Sequence, residues 1–321
     1  MKRTGMKAMV LKRFGGIENF AVEDVPEPPV GDGEVLVEVK AIGIDQIDVK
    51  ARKGEGMSDY LKQEHPMILG WDISGVVSKV GSRVKDFKAG DAVFGTIRFP
   101  GPGSSYAEYA AAPADQIALK PENISHAEAA AATQSPLTAW QALVDTGHVK
   151  KGDRVLVHGG AGGVGNYAIQ IARHIGCYVI TTVSGADRAF VKELGADEVI
   201  DYRTQAFEKE VEEVDFVLDT IGGDNFVRSL EVLKPEGMIV LLPSNRKEEA
   251  DKAVREKQVK NYRHILMHSS GKDMRAIAGM LREGSMKANV DKTYSFEQIP
   301  QAQAQLENGK VRGKIVVILE K

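Results

Sequence analysis

The chain has 321 residues, 43% of them apolar and 27% charged, with a net charge of −3 at pH 7; this is the length of two domains and the composition of a globular protein. A slightly acidic chain without a basic cluster is not expected to bind nucleic acid, and none of its apolar runs approaches the roughly 20 residues that cross a bilayer. The basic N-terminus is followed by too short an apolar run for a signal peptide, so we expect a cytoplasmic protein without a membrane partner.

The first 120 residues predict a β-rich unit. Alternating apolar residues mark strands at Glu34 to Ile44, Ile73 to Gly81 and Asp91 to Ile97, bounded by turns that contain glycine or proline. Because no helical pattern separates these strands, we expect an antiparallel, barrel-like arrangement.

From Ser125 onward, strands alternate with helices, which is typical of repeated βαβ units and predicts a doubly wound parallel sheet. The strands are RVLVHG, YVITTV, EVID, DFVLDT and MIVLLP. After His268 a helix, a strand near Val290, a further helix and the strand KIVVIL follow. We therefore predict an α/β protein with a Rossmann dinucleotide-binding domain at residues 125–268, inserted in a β-rich domain formed by residues 1–124 and 269–321.

A glycine-rich turn is the most informative motif. Gly160, Gly162 and Gly165 satisfy G-x-G-x-x-G directly after the strand RVLVH and directly before the helix VGNYAIQIARHIG. In that context the glycines permit a tight turn, backbone approach to a pyrophosphate and close packing of helix on strand. The positive end of the helix then faces the phosphates. The alternative is that the glycines only close a tight turn.

The residues after the second strand of this domain indicate which dinucleotide binds. An NAD-binding domain usually carries a carboxylate at the end of that strand, about 20 residues after the glycines. Here Ser184 stands at that point, Asp187 follows in the next turn, and Arg188 and Tyr202 lie close behind. A hydroxyl and a guanidinium suit a 2′-phosphate, which predicts NADPH. The alternative is that Arg188 is only a solvated residue in the first turn of a helix.

Cysteine and histidine usage offers little to a metal ion. Cys177 is the only cysteine, so a zinc site with two or more thiolates is excluded, and its place before an apolar strand predicts a buried, inert thiol. His264 and His268 have the spacing of helical ligands, but their segment YRHILMH is predicted to be a strand. We therefore expect no metal site.

The sequence resembles the medium-chain dehydrogenase/reductase superfamily, within its zinc-free quinone oxidoreductase branch, which includes zeta-crystallin-like proteins and alkenal or enone reductases. The segments that carry the resemblance are MKAMVLKRFGG, EVLVEVKAIGIDQID, LGWDISGVVSKVGSRVKDFKAGDAVFG, SYAEYAAAP, LTAWQAL, VHGGAGGVGNYAIQIAR, LGADEVIDY and VRGKIVV. The resemblance implies a GroES-like, β-barrel-type catalytic domain beside the Rossmann domain. It also implies a homodimer, for which the candidate edge strand is NYRHILM.

The resemblance bears on metal chemistry as well. Zinc-dependent relatives carry Cys-His and His-Glu pairs where this chain has Asp45-Gln46 and Trp71-Asp72. Without those ligands we do not expect zinc-assisted alcohol oxidation. Zinc-free relatives usually have Asn-Pro where Asp45-Gln46 stand, so the polarity near the substrate is expected to differ. Trp71 is predicted to fill the core, with a wall of the substrate site as the alternative.

The resemblance also implies the contacts with the cofactor. Ile44 to Gln46 are expected beside the nicotinamide ring. The expected cofactor-binding residues are Thr138, Gly160, Ala161, Gly162, Gly163, Val164, Ser184, Arg188, Tyr202, Leu242, His268, Arg312 and Lys314.

The expected reaction is hydride transfer from NADPH to a small molecule, either a quinone or the C=C bond of an α,β-unsaturated carbonyl compound. Reduction of an enone leaves an enolate that needs a proton. Candidate donors are Tyr60 and Asp45. The alternative for Tyr60 is that it is only a surface tyrosine, and the alternative for Asp45 is that it caps a turn. Asp48 and Asp72 are expected to be structural hydrogen-bonding residues. The glycines of residues 99–105 predict a mobile rim loop. Alternative functions are a non-catalytic, crystallin-like NADPH-binding protein and a zinc-free alcohol dehydrogenase.

Overall fold

The computed structural model describes residues 5–62, 64–242, 244–309 and 311–319 and divides the chain into two compact units. Unit 1 contains Met1–Leu137 and His268–Lys321, and unit 2 contains Thr138–Met267. The strands are β1 (Gly5–Leu11), β2 (Phe20–Pro26), β3 (Glu34–Ile44), β4 (Asp72–Val80), β5 (Ala92–Thr96), β6 (Tyr109–Pro113), β7 (Ala118–Leu119), β8 (Arg154–His158), β9 (Tyr178–Val183), β10 (Glu198–Asp201), β11 (Val214–Asp219), β12 (Leu233–Leu241), β13 (Tyr262–His264), β14 (Val290–Ser295) and β15 (Lys314–Ile318).

The helices alternate with these strands mainly in unit 2. They are α1 (Gln46–Arg52), α2 (Ser58–Leu61), α3 (His126–Ala131), α4 (Gln134–Trp140), α5 (Gly163–Ile175), α6 (Arg188–Glu193), α7 (Phe207–Glu210), α8 (Asp224–Ser229), α9 (Lys247–Glu256), α10 (Gly271–Glu283) and α11 (Ile299–Glu307). The chain continues from α4 into a π-helical turn at Gln141–Thr146.

Unit 2 is built on a six-stranded sheet in the order β10-β9-β8-β11-β12-β13, and all its strand pairs are parallel. Leu156, Ile180, Val217 and Ile239 are fully buried in its central strands. Such strands are apolar on both faces because helices cover both sides. The order reverses between β8 and β11, where a doubly wound sheet binds its ligand. The predicted Rossmann fold is confirmed.

Unit 1 contains a mixed sheet in the order β14-β15-β3-β4-β5-β7, and β6 also pairs with β3. Its strands are antiparallel except for the parallel pair β14 and β15. The hairpin of β1 and β2 forms a separate two-stranded sheet. This is the β-rich unit that the alternating segments predict, and the C-terminal strand β15 lies between β14 and β3, second from one edge of the mixed sheet.

The first boundary between the units differs from the predicted one. It lies between Leu137 and Thr138 rather than before residue 125. The reason is the packing of α3, whose Ala130 and Ala131 lie against Ala41 of β3 and Val316 of β15. An alanine-rich helix reads as the first helix of the next domain, but its small side chains let it lie closely on the sheet of unit 1.

The segment of residues 99–105 is packed rather than free, contrary to the predicted mobile loop. Trp71 is 1% exposed, as predicted for a core residue, and its Nε1 donates a hydrogen bond to Gly101 O across 2.6 Å. The Phe99 ring meets the indole edge to face at 5.6 Å. A Cβ on Gly103 would lie 2.3 Å from Gly70 O, so this glycine serves close packing and not mobility.

Candidate functional site

The glycine-rich turn connects β8 with α5 in unit 2. A Cβ on Gly165 would lie 2.2 Å from Gly159 O, and one on Gly160 would lie 2.1 Å from Thr181 Oγ1. Both positions therefore need glycine for internal packing. Gly162 differs, because its Cβ would meet only Gly159 O, at 3.2 Å. Its missing side chain leaves room on the outside of the turn, where a pyrophosphate is expected to approach.

Helix α5 begins at this turn and runs for 13 residues. Gly162 is its N-cap in an extended conformation, and Asn166 Nδ2 donates to Gly162 O at 2.9 Å and to Gly163 O at 2.7 Å. The first amide groups of a helix have no partner inside the helix and carry a positive dipole end. A turn fixed in this way fits a diphosphate group, so the residues Gly160 to Val164 suit a dinucleotide.

Residues at the carboxyl ends of β9 and β10 surround the expected adenosine end of the cofactor. Ser184 follows β9 directly, and its hydroxyl donates to Asp187 Oδ2 at 2.5 Å. Arg188 is exposed, and Tyr202, just after β10, is 58% exposed. The Arg203 guanidinium lies 5.9 Å from the centre of the Tyr202 ring. Arg203 is not among the residues expected from the sequence, although its position directly after Tyr202 could have indicated it.

The remaining expected cofactor contacts are distributed over both units. Thr138 begins unit 2, and Leu242 follows β12, where its amide donates to Asp219 O at 3.0 Å. His268 and Arg312 belong to unit 1 and are exposed. The structure therefore groups the turn with Ser184, Arg188, Tyr202 and Leu242 at the carboxyl edge of one sheet.

Lys314 occupies a different environment from the one the resemblance implies. Its side chain is 2% exposed and forms an ion pair with Asp45 Oδ1, while its Nζ lies 3.6 Å from Asp72 Oδ2. Ser135 Oγ donates weakly to Asp45 Oδ1, at 3.4 Å. Thr96 Oγ1 donates to Asp72 Oδ1 at 2.7 Å. The ammonium thus lies between two carboxyl groups, and we call Asp45, Asp48, Asp72 and Lys314 the buried charge cluster.

Asp48 joins this cluster from the first turn of α1. Its Oδ2 accepts a hydrogen bond from the Asp45 amide at 2.7 Å, as the N3 residue of a capping box. Burial and the neighbouring Asp45 charge raise the pKa of Asp48 to about 8. The structural role predicted for Asp48 is present, and so is the capping role that stood as the alternative for Asp45.

Tyr60 lies apart from this cluster. It is on the short helix α2 and is 49% exposed, and no hydrogen bond among the described residues joins its side chain to Asp45 or Asp72. The structure brings Asp45 and Lys314 together, and it does not bring Tyr60 to them.

The cysteine and the two histidines stay outside any metal-like grouping. Among the described residues, no group of three or more His, Cys, Asp or Glu side chains is arranged to hold a metal ion. Cys177 is buried, and burial with the nearby Asp153 and Asp215 raises its pKa to about 11, which is typical of an unreactive thiol. Strand β13 ends at His264, so the predicted strand over YRHILMH is shorter than expected and His268 lies beyond it.

With this geometry established, two family matches define the class of protein. Residues 31–122 match the family described as alcohol dehydrogenase GroES-like domain, and residues 194–317 match the one described as zinc-binding dehydrogenase. The first match lies within unit 1, and the second covers part of unit 2 and continues into unit 1. Together they indicate an oxidoreductase of the dehydrogenase type.

Individual relatives narrow the class further. The mitochondrial NAD(P)H oxidoreductase RTN4IP1 of Danio rerio is 33% identical over 98% of this chain and 92% of its own length. The chloroplastic NADPH-dependent alkenal/one oxidoreductase of Arabidopsis thaliana is 33% identical over 97% of this chain and 79% of its own. The solved quinone oxidoreductase from Coxiella burnetii has a TM-score of 0.92 and 34% identity, over 98% of this chain and 100% of that one. The chain belongs to the medium-chain dehydrogenase/reductase superfamily, in the branch of the quinone and alkenal oxidoreductases.

Within the described part of the chain, no helix combines the length and apolar character needed to cross a bilayer. The relatives named above include mitochondrial and chloroplastic proteins, so the cytoplasmic location stays a prediction.

Proposed function

We propose that the protein is an NADPH-dependent, metal-independent oxidoreductase that reduces quinones or the C=C bond of α,β-unsaturated carbonyl compounds. The observation that supports this most directly is the Lys314 ammonium between Asp45 and Asp72. These two carboxyls stand in the segments where zinc-dependent relatives carry metal ligands, and a side-chain cation already lies between them. A quinone or an enone is electrophilic enough to accept hydride without a Lewis acid, whereas alcohol oxidation in this superfamily uses zinc.

The residues of unit 2 support a nicotinamide cofactor, which supplies the hydride when bound. The start of α5 and the turn before it would hold the diphosphate, because this is where amide donors and a positive dipole end are available. Ser184, Arg188 and Tyr202 would hold the 2′-phosphate of NADPH, and we add Arg203 to this set because its guanidinium lies over the Tyr202 ring. Two cations at this edge favour a phosphate over a bare hydroxyl.

The residues of unit 1 supply the proton. Asp45 is our proposed proton donor to the reduced substrate. It belongs to the buried charge cluster, whose acidic groups can hold protons, and its side chain is still 13% exposed. Tyr60 is the rival, because a phenol can also protonate an enolate. Tyr60 is the weaker candidate because it is half-exposed on α2 and because no hydrogen bond among the described residues joins its side chain to Asp45.

The decisive experiment is a spectrophotometric assay of NADPH and NADH oxidation against a panel of quinones, 2-alkenals, enones, saturated ketones and primary alcohols. We expect turnover with NADPH and with quinones or activated alkenes, and none with saturated ketones or, in the reverse direction, with alcohols. The purified chain is assayed with and without a chelator, and equal rates are expected. Tight NADPH binding without turnover of any substrate would overturn the proposal in favour of a binding protein.

We also propose that two copies pair along β13, the edge strand of the sheet in unit 2. Leu266, just beyond this strand, is 53% exposed, and an unpaired strand edge with apolar neighbours tends to be covered. Size-exclusion chromatography with light scattering should give twice the mass of one chain for the wild-type protein. The Leu266→Lys variant should give the mass of a monomer. A monomeric wild-type chain would contradict this assembly.

A further inference from the structure

The buried charge cluster has more acidic groups than counter-ions. Asp48 and Asp72 are each 1% exposed, Lys314 is 2% exposed and the Asp45 side chain is 13% exposed, so three carboxyls share one ammonium in a largely buried site. If all were ionised, two negative charges would stay uncompensated in a low-dielectric interior, which is strongly unfavourable. Two protons on the carboxyls would make the cluster neutral.

The hydrogen-bond surroundings of Asp45 and Asp72 indicate which carboxyl holds one of these protons. Asp45 Oδ2 is buried and receives no hydrogen bond from any described donor, yet the Asp45 and Asp72 carboxyls are within hydrogen-bonding reach of each other. Two carboxylates cannot bond to each other, but a protonated Asp72 can donate to Asp45. Asp72 is also held on its other side by Thr96 Oγ1 at 2.7 Å and the Gln134 amide at 3.3 Å.

The charges around Asp72 agree with this assignment. The ionisable groups that face it are Asp45, at the start of α1, and Lys314, on β15. The neutral residues that contact it are Thr96 on β5, Thr133 just before α4 and Gln134 at the start of α4. Burial raises the pKa of Asp72 well above its ordinary value, the Asp45 charge raises it further, and the Lys314 ammonium lowers it.

We infer that Asp72 and Asp45 form a proton store, in which Asp72 holds a proton at neutral pH, Asp45 passes it outward, and Lys314 positions both carboxyls. Asp45 is the outlet because its side chain is 13% exposed, whereas that of Asp72 is 1% exposed. Lys314 then has a role that explains its burial: it compensates the charge that appears when the stored proton leaves. The use of the store in catalysis rests on the proposed reductase function; its existence does not.

The proton balance of an enone reduction is complete with this store. Hydride adds to the β-carbon, and the π-electron pair moves to the carbonyl oxygen to give an enolate. The proton of Asp72 moves to the Asp45 carboxylate. The new O–H bond on Asp45 then breaks as a C–H bond forms at the α-carbon, and the electron pair on the enolate oxygen restores the C=O bond. Water returns one proton through Asp45, so each turnover consumes one hydride from the cofactor and one proton from solvent.

Infrared spectroscopy of the full chain tests the store without any substrate. The C=O stretching band of a protonated carboxyl has a different frequency from the bands of a carboxylate, so the two forms can be distinguished. The wild-type protein at pH 7 should show bands from protonated carboxyls. Asp72→Asn should remove one protonated-carboxyl component, and Asp48→Asn, as the matched buried control, should remove a different one, which disappears near pH 8. Asp45→Asn should shift the frequency of the Asp72 component. An unchanged spectrum in Asp72→Asn, or no shift in Asp45→Asn if the first variant does not fold, would overturn the proton store.

Kinetics then test its use. With an enone substrate, Asp72→Asn should lower kcat by about 100-fold, the lower end of the range for loss of acid catalysis, and leave the KM for NADPH unchanged. Lys314→Arg should keep most of kcat and Lys314→Met should not, whereas loss of a phosphate contact would raise the KM for NADPH instead. A wild-type kcat and pH profile in Asp72→Asn would overturn the catalytic role. Absence of turnover in wild type would reject the reductase function, and the infrared result would still decide the store.

Discussion

The hydroxyl of Ser184 donates to Asp187 Oδ2 across 2.5 Å, at the carboxyl end of β9. This contact brings a carboxylate to the edge of the site proposed for the 2′-phosphate, although Asp187 lies four residues beyond Val183, the last residue of β9. A carboxylate there repels a phosphate and accepts a hydrogen bond from a ribose hydroxyl. We therefore expect Asp187→Asn to raise the ratio of kcat/KM for NADPH over NADH by about 3- to 10-fold, a range set by a partly exposed charge pair.

The arginines at the same edge should act in the opposite direction. Arg188→Ala and Arg203→Ala are each expected to lower the NADPH to NADH ratio, because each removes a cation from the proposed phosphate site. Arg282→Ala, an exposed arginine on α10 in unit 1, is the matched control and should leave the ratio unchanged. A wild-type ratio in Asp187→Asn, Arg188→Ala and Arg203→Ala alike would place the 2′-phosphate elsewhere.

The glycine turn gives a prediction that separates folding from binding. Gly165→Ala places a methyl group 2.2 Å from Gly159 O, so it should destabilise unit 2 and lower the melting temperature. Gly162→Ala meets the chain only at Gly159 O, 3.2 Å away, so it should cost much less stability than Gly165→Ala. It should lose NADPH affinity, because the methyl group lies where the diphosphate is expected to approach. Melting curves and fluorescence titration with NADPH measure the two effects.

The control for these variants is Gly279→Ala. A Cβ at Gly279 on α10 would meet no atom within 4 Å, and alanine is a better helix former than glycine. This variant should bind NADPH like wild type and melt at the same temperature or slightly above. If Gly162→Ala bound NADPH as tightly as Gly279→Ala, the diphosphate would not lie on this turn.

Tyr60→Phe tests the rival proton donor. Since Tyr60 is 49% exposed and stands outside the hydrogen-bond network of Asp45, we expect its kcat with an enone to stay within about 2-fold of wild type, far from the 100-fold or greater effect typical of a lost general acid. The same assay on Asp45→Asn should show the large loss. The reverse pattern would assign the proton to Tyr60.

The two kinds of site differ in how far the sequence could predict them. The glycine fingerprint, Ser184 and Tyr202 were accessible because each lies at a fixed distance from a strand end, and parallel strands bring their carboxyl ends to one edge. Position along the chain is then enough to infer position in space. The mobile loop predicted at residues 99–105 was wrong. Its glycines allow close packing against Trp71, and in the sequence they cannot be distinguished from the glycines of a mobile loop.

The buried charge cluster could not be read from the sequence in this way. Asp45 and Lys314 are separated by 269 positions, and they meet because β15 pairs with β3 in antiparallel register, with Ile315 opposite Ile44. A lysine after Arg312 and Gly313 reads as a cofactor contact, and nothing local shows that its side chain points inward. Asp72 has the same limitation, because its partners come from β5, α4 and β15.

His158 leads to a prediction about acid stability. It ends β8 directly before the glycine turn, with Nδ1 3.0 Å from Thr182 Oγ1 and Nε2 2.9 Å from Ser229 Oγ. Burial, with Arg228 nearby, lowers its pKa to about 3 from 6.5. The ring is thus neutral in the fold, whereas the unfolded chain takes up a proton below pH 6.5, so this contribution to stability is complete above pH 6.5 and is lost as pH falls toward 3.

His158→Gln removes this titration and should flatten the pH dependence of stability. At about 1.4 kcal/mol per pH unit, the wild-type chain should lose roughly 2 kcal/mol from this group between pH 6.5 and pH 5. Urea unfolding at pH 5 and pH 7.5 measures the difference, and the variant should show a smaller change even though it is less stable at pH 7.5. His174→Gln, an exposed histidine on α5, should retain the wild-type slope. An equal slope in His158→Gln would mean that other groups govern the acid limb and that His158 is protonated without cost in the folded chain.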